Sequence, residues 1–211
     1  MRKAVADQES LTSRTKIVRD FEKIAQETYH PFPLKVEIET ISDEEAFVGD
    51  STHQLNPKAT RDMENNPIII LPERLLKQNE ISTEGIILLM CHELGHHLGG
   101  APLVPRPNGK LSWMSAEGQA DYFAGGECWE KIVKKSLEKK TSLKFDLEKA
   151  ALEVTYLFSR HRFEDNFPVI GQHDTYVTFK TLYQHPTTQC RLDTFIAASI
   201  SQERPRCWYA P

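Results

Sequence analysis

No apolar run in this chain approaches the ~20 residues needed to cross a bilayer. The longest, residues 86–90, belongs to an amphipathic helix. No integral membrane segment is therefore expected. There is no basic excess either: 26 Lys and Arg stand against 30 Asp and Glu, a net charge of -4, and the cations are scattered. A nucleic-acid partner would require a basic stripe, so none is expected. No Cys-x-x-Cys pair exists, which argues against a cysteine zinc knuckle. Repeats and low-complexity segments are absent. Residues 1–10 lack the apolar core of a signal peptide.

Cysteine is scarce but even in number: Cys91, Cys128, Cys190 and Cys207. Four cysteines allow three pairings, or they stay as buried thiols in a cytosolic protein. If disulfides form, the expected location is periplasmic or secreted, with Met1 standing where a leader was removed. The oligomeric state is left open.

With 211 residues, 39% hydrophobic and 27% charged, the chain suits one globular domain. Residues 11–29 carry Ile17, Val18, Phe21, Ile24 and Ala25 at helical spacing. His30-Pro31-Phe32-Pro33 ends that helix. Residues 34–40 alternate as a half-buried strand, and residues 45–50 suggest another. Residues 56–66 read as polar and turn-rich. Residues 67–71 form a short Ile-rich strand, and its flanking prolines suit a sheet edge. Ser82 or Thr83 caps the next helix, which ends at Gly99-Gly100. Residues 101–108 hold three prolines and read as a loop. A long helix is expected from near Ser115 into residues 131–140, another over 147–163, a loop over 166–173, and a last helix over 187–199. The order predicts an α+β single domain: helix and small sheet over 1–80, a mostly helical half over 81–211.

The informative segment is Cys91-His92-Glu93-Leu94-Gly95-His96-His97-Leu98-Gly99-Gly100. His92 and His96 stand four apart on a helix, one above the other on one face. Two imidazoles so placed can hold one Zn²⁺. Glu93 lies roughly 100° round the helix, where it can reach an attacking water without being a ligand. The turns before it are apolar, and burying this many polar groups there has a cost that a bound ion would offset. His97 points off this face and reads as structural. Gly95 costs ~1 kcal/mol in a helix, which suggests close packing against a neighbour.

A catalytic zinc needs a third protein ligand. A third histidine six residues after His96 is excluded, because Pro102 occupies that position. Glu117 and Asp121, four apart on a helix rich in small residues, supply the alternative. Glu117 would be the ligand, and Asp121 would hold the far ring nitrogen of a ligand histidine.

Taken together, these segments resemble the gluzincin metallopeptidases, in particular the family of the CAAX prenyl endopeptidase and the heat-shock protease HtpX. The metal helix behind an Ile-rich strand, Glu117-Gly-Gln-Ala-Asp121, and His185-Pro186 with Arg191 six residues on occur in that family's order. The likeness spans residues 67–191. It implies a zincin-like fold with an edge strand over the metal helix, and one zinc on His92, His96 and Glu117. It also implies Glu93 as general base, His185 at the oxyanion, and Arg191 holding the site together. Lacking membrane helices, the chain departs from the membrane enzymes, and its cysteines resemble those of extracytoplasmic bacterial relatives.

The expected activity is zinc-dependent endopeptidase action on a protein or peptide. The substrate is expected to add as a strand along Ile68, Ile69 and Ile70. The alternatives are a zinc-binding chaperone or regulator, and a latent protease plugged by residues 204–211. Cys190 and Cys207 are close in sequence and are expected to pair. Cys91 and Cys128 would then staple the two metal-bearing helices.

Overall fold

The computed structural model describes residues 10–40, 55–162 and 167–211. Helix α1 (Leu11–Thr28) starts where Ser10 accepts a hydrogen bond from the Ser13 amide at 3.2 Å. Its apolar stripe, with Val18, Phe21 and Ala25 fully buried, faces the core. Arg14 on the same helix is buried too. Its guanidinium donates to the carbonyls of Leu76 (3.1 Å), Gln78 (2.6 Å) and Ile81 (2.8 Å), fixing α1 to the turn before the next long helix.

Three strands follow: β1 (Lys35–Glu39), β2 (Lys58–Arg61) and β3 (Pro67–Pro72). Their order is β1-β3-β2, with β3 parallel to β1 and antiparallel to β2. The Ile-rich strand is thus central, not at an edge as its prolines suggested. Pro67 pairs with Arg61 and Pro72 with Glu39, at the two ends of the ladder. There a missing N–H removes no bond from the middle of the strand. Strand β2 lies in the stretch read as irregular. The turn after it is closed by Asp62, whose Oδ1 accepts from the amides of Glu64 (2.9 Å) and Asn66 (2.8 Å). The strand expected at 45–50 lies outside the described residues.

A short helix α2 (Glu73–Leu76) leads to α3 (Thr83–Leu98), capped by Ser82. Helix α3 is not the amphipathic helix expected: it is buried almost all round, its polar residues His92, Glu93, His96 and His97 included. It packs against the sheet and against the helices that follow. Gly100, at φ 75°, carries the left-handed turn after it. The proline-rich stretch then forms a hairpin, β4 (Leu103–Pro105) with β5 (Leu111–Ser115). Helix α4 (Glu117–Phe123) continues without a break through a π-helical stretch (Ala124–Leu137) into α5 (Glu138–Thr141). Helices α6 (Leu147–Arg162) and α7 (Thr188–Ser199) complete an α+β architecture.

Two disulfides join these layers, in the expected pairing. Cys91–Cys128 ties α3 to the π-helical stretch, and Cys190–Cys207 ties α7 to the C-terminal residues. Among the described residues no helix is long and apolar enough to cross a membrane.

Candidate metal centre

The last turns of α3 and the first turn of α4 lie back to back. A Cβ placed on Gly95 would stand 2.7 Å from the Ala120 carbonyl oxygen and 2.8 Å from its Cα. Only glycine permits that approach, which is the close packing its mid-helix position suggested. It brings Glu117, the first residue of α4, over the face that carries His92 and His96. The two imidazoles meet edge to face, with centroids 4.7 Å apart. Glu117 Oε2 lies 3.3 Å from His92 Nε2 and 3.7 Å from His96 Nε2. The three ligand atoms available here all fall within 4.8 Å of one another.

The far nitrogens are held from behind. His92 Nδ1 lies 2.7 Å from Asp121 Oδ1, and His96 Nδ1 lies 3.0 Å from the Ser115 carbonyl oxygen. An acceptor at Nδ1 fixes a proton there and makes Nε2 the nitrogen that faces Glu117 and is free to ligate once it is deprotonated. Asp121 is in turn gripped by Arg191, whose Nε donates to Oδ2 at 2.8 Å and Nη2 to Oδ1 at 2.7 Å. Both residues are buried, and the guanidinium sits 4.2 Å over the Phe158 ring. A buried ion pair of this kind costs desolvation; its contribution is to fix direction.

Burial opposes charge on His92, but the Asp121 carboxylate outweighs it and lifts the metal-free pKa to about 10. Burial would also raise Glu117, yet the imidazoles of His185, His92 and His96 hold it well below the usual carboxylate range. Burial drives His97 the other way, down to about 4. A metal ion entering this site would meet an ionised carboxylate and displace one proton from His92.

The remaining sequence-predicted residues fall as follows. Glu93 is buried, one residue beyond His92 on α3. His185 is half exposed, with Nε2 3.0 Å from Glu117 Oε2. His97 points away from the centre: its Nε2 lies 3.2 Å from the Ile68 carbonyl oxygen, and its ring stacks on Trp113 at 4.7 Å. Ile68, Ile69 and Ile70 cannot take a substrate strand. Each is paired on both flanks, with Lys35, Val36 and Glu37 on one side and Thr60, Ala59 and Lys58 on the other. Among the described residues, strand β2 has the outer flank on the hairpin side, where Arg61 sits 4.7 Å over the Trp113 ring.

Sequence reasoning missed three contributors. The Ser115 carbonyl is backbone and leaves no mark in side-chain identity. Phe158 under Arg191 looks like any core aromatic. Trp208 is fully buried against Gly118, and its only signal is a Cys-Trp-Tyr run near the C-terminus.

The donor set fits zinc: two imidazole nitrogens and a carboxylate oxygen. Glu117 Oε2 is buried and, despite three imidazole nitrogens close by, makes a well-formed hydrogen bond with none of them. That leaves a buried carboxylate oxygen with room for a further partner, as a ligand atom of a metal site would have. Compared with known proteins, this chain matches no family model, no curated protein and no solved structure.

Proposed function

We propose that this chain is a zinc-dependent endopeptidase of zincin-like fold, working in an oxidising compartment such as the periplasm or the extracellular space. One observation carries the reading: both ligand-candidate histidines have Nδ1 occupied, so both Nε2 atoms turn with Glu117 Oε2 toward a common point. His92, His96 and Glu117 would hold the ion. When bound, zinc supplies Lewis acidity, lowering the pKa of water toward ~7 and polarising a carbonyl.

The chain's own residues do the rest. Glu93 takes the proton from the attacking water and hands it to the leaving amine. Its burial removes competing solvent from that transfer. His185, half exposed beside Glu117, donates to the oxyanion as it develops. Asp121 and Arg191 keep His92 aimed throughout. The substrate lies extended along the outer flank of β2, not along β3, and gains main-chain hydrogen bonds by strand addition. Two disulfides support the oxidising location.

The test pairs metal analysis with peptide hydrolysis. Wild type is expected to retain about one zinc per chain, the number the group of His92, His96 and Glu117 would hold. Glu93→Gln is expected to retain that zinc and lose on the order of 10²–10⁴ in rate. A Glu93→Gln protein that cleaves at full rate with zinc bound ends the mechanism. Wild type that holds no zinc after gentle purification ends the metal assignment.

A further inference from the structure

The C-terminal residues converge on the metal centre from outside it. A Cβ placed on Gly118 would stand 2.2 Å from Trp208 Cδ2 and 2.6 Å from Cε2 and Cε3. The indole therefore lies directly on the backbone of the residue after Glu117. It is fully buried and its Nε1 has no hydrogen-bond partner, so packing alone holds it. The neighbouring Cys207 is bonded to Cys190, one residue before the Arg191 that grips Asp121. The Leu182 amide donates to the Trp208 carbonyl at 2.8 Å. Just beyond Leu182, the Tyr183 carbonyl accepts from the Glu117 amide at 3.4 Å, and His185 reaches Glu117 Oε2. Arg204 Nε donates to Gln119 Oε1 at 2.6 Å, binding the same helix turn again.

We infer that residues 204–211 form a brace for the metal centre, with Trp208 as a positioning residue for Glu117 and the Cys190–Cys207 disulfide as its fastening. The inference rests on the zinc reading above and goes beyond it. Glu117 sits on the first turn of α4, where Ala116 provides no side-chain cap. Helix ends fray unless something outside holds them. The indole on Gly118 and the Tyr183 carbonyl supply that hold. The same brace fixes the approach of His185. Zinc affinity then depends on the disulfide, because an unfastened tail frees the Glu117 turn. A tail that plugs the cleft would behave in the opposite sense: removing it would raise activity.

The experiment measures the zinc dissociation constant by chelator competition, beside helical content by circular dichroism, in the full chain. Trp208→Ala is expected to bind zinc about 10–100-fold more weakly with helical content retained, the usual cost of losing a ligand's support. Trp208→Phe, which keeps an aromatic plate on Gly118, is expected to recover most of that loss. Should Trp208→Ala fail to fold, Cys190→Ser with Cys207→Ser is read in the same assay, with the same weakening expected. Wild-type affinity in Trp208→Ala, or in the folded double-serine protein, overturns the inference while leaving the zinc reading intact. Faster peptide cleavage after deletion of residues 204–211 also overturns it. Wild type that binds no zinc sinks the zinc reading instead.

Discussion

His92 and His96 sit one turn apart, face the same point and are held from behind in different ways. His92 leans on a buried carboxylate that a buried guanidinium grips in turn. His96 leans on a neutral backbone carbonyl at the end of β5. The first support is made of side chains from two helices far apart in sequence. The second is main chain, and any residue at position 115 offers it. The charged support tunes the ring electronically as well as pointing it; the neutral support only points it. One imidazole of the pair is therefore sensitive to substitution behind it and the other is nearly immune.

The largest effect should come from undoing the charged support at its root. Arg191→Met leaves Asp121 buried with only His92 as a partner, and should cost on the order of 3 kcal/mol in denaturant unfolding of the metal-free protein. A loss within error of zero would show that the guanidinium is not needed to keep the carboxylate inside.

The third imidazole of α3 sharpens the role of acceptor charge. His97 has a neutral acceptor, like His96, and burial holds its pKa near 4. Its folded pKa lies below the ordinary value of 6.5, so its neutral form is the one the fold favours. The stability this contributes is complete above pH 6.5 and is lost as pH falls from about 6.5 to about 4. For metal-free protein the loss should be on the order of 3 kcal/mol. Thermal unfolding against pH, with His97→Phe reducing the slope between about pH 4 and 6.5, checks it. His92 runs the opposite way: raised to about 10, it contributes fully below pH 6.5 and fades as pH climbs toward 10.

The smallest effects separate the two supports directly. Asp121→Asn keeps the shape and drops the charge, and should weaken zinc binding roughly 10-fold or more. Ser115→Ala keeps the carbonyl and loses one hydroxyl bond to the Gly100 carbonyl, at 2.8 Å. It should cost about 1 kcal/mol of stability and leave zinc affinity within about threefold. Equal losses of affinity in both would erase the distinction.

Much of the centre was legible in the sequence because helix geometry is local. Spacings of four placed His92 with His96 and Glu117 with Asp121, and Ser82 marked where α3 begins. The Arg191 clamp was legible only through a resemblance, because nothing local ties an arginine on α7 to an aspartate on α4. Sheet order escaped for a similar reason. Lys58-Ala-Thr-Arg61 has no apolar alternation, so its strand character comes from β3 beside it and not from its own residues. The hairpin was hidden by prolines, of which Pro105 closes a strand end where its ring does no harm. Trp208 left a mark, a tryptophan beside a cysteine, but its target is a glycine some ninety residues earlier, about as non-local as this chain allows.

The contact of Gly95 with Ala120 carries a last consequence. Where two helices touch main chain to main chain, their spacing cannot be trimmed by rotamer changes. The gap between the two backbones that carry the imidazole pair and the carboxylate then has a fixed gauge. A cage of fixed gauge sorts ions by radius as well as by donor preference. On the zinc reading, calcium, which needs longer bonds and more oxygen atoms than these three donors offer, is the poorer fit on both counts.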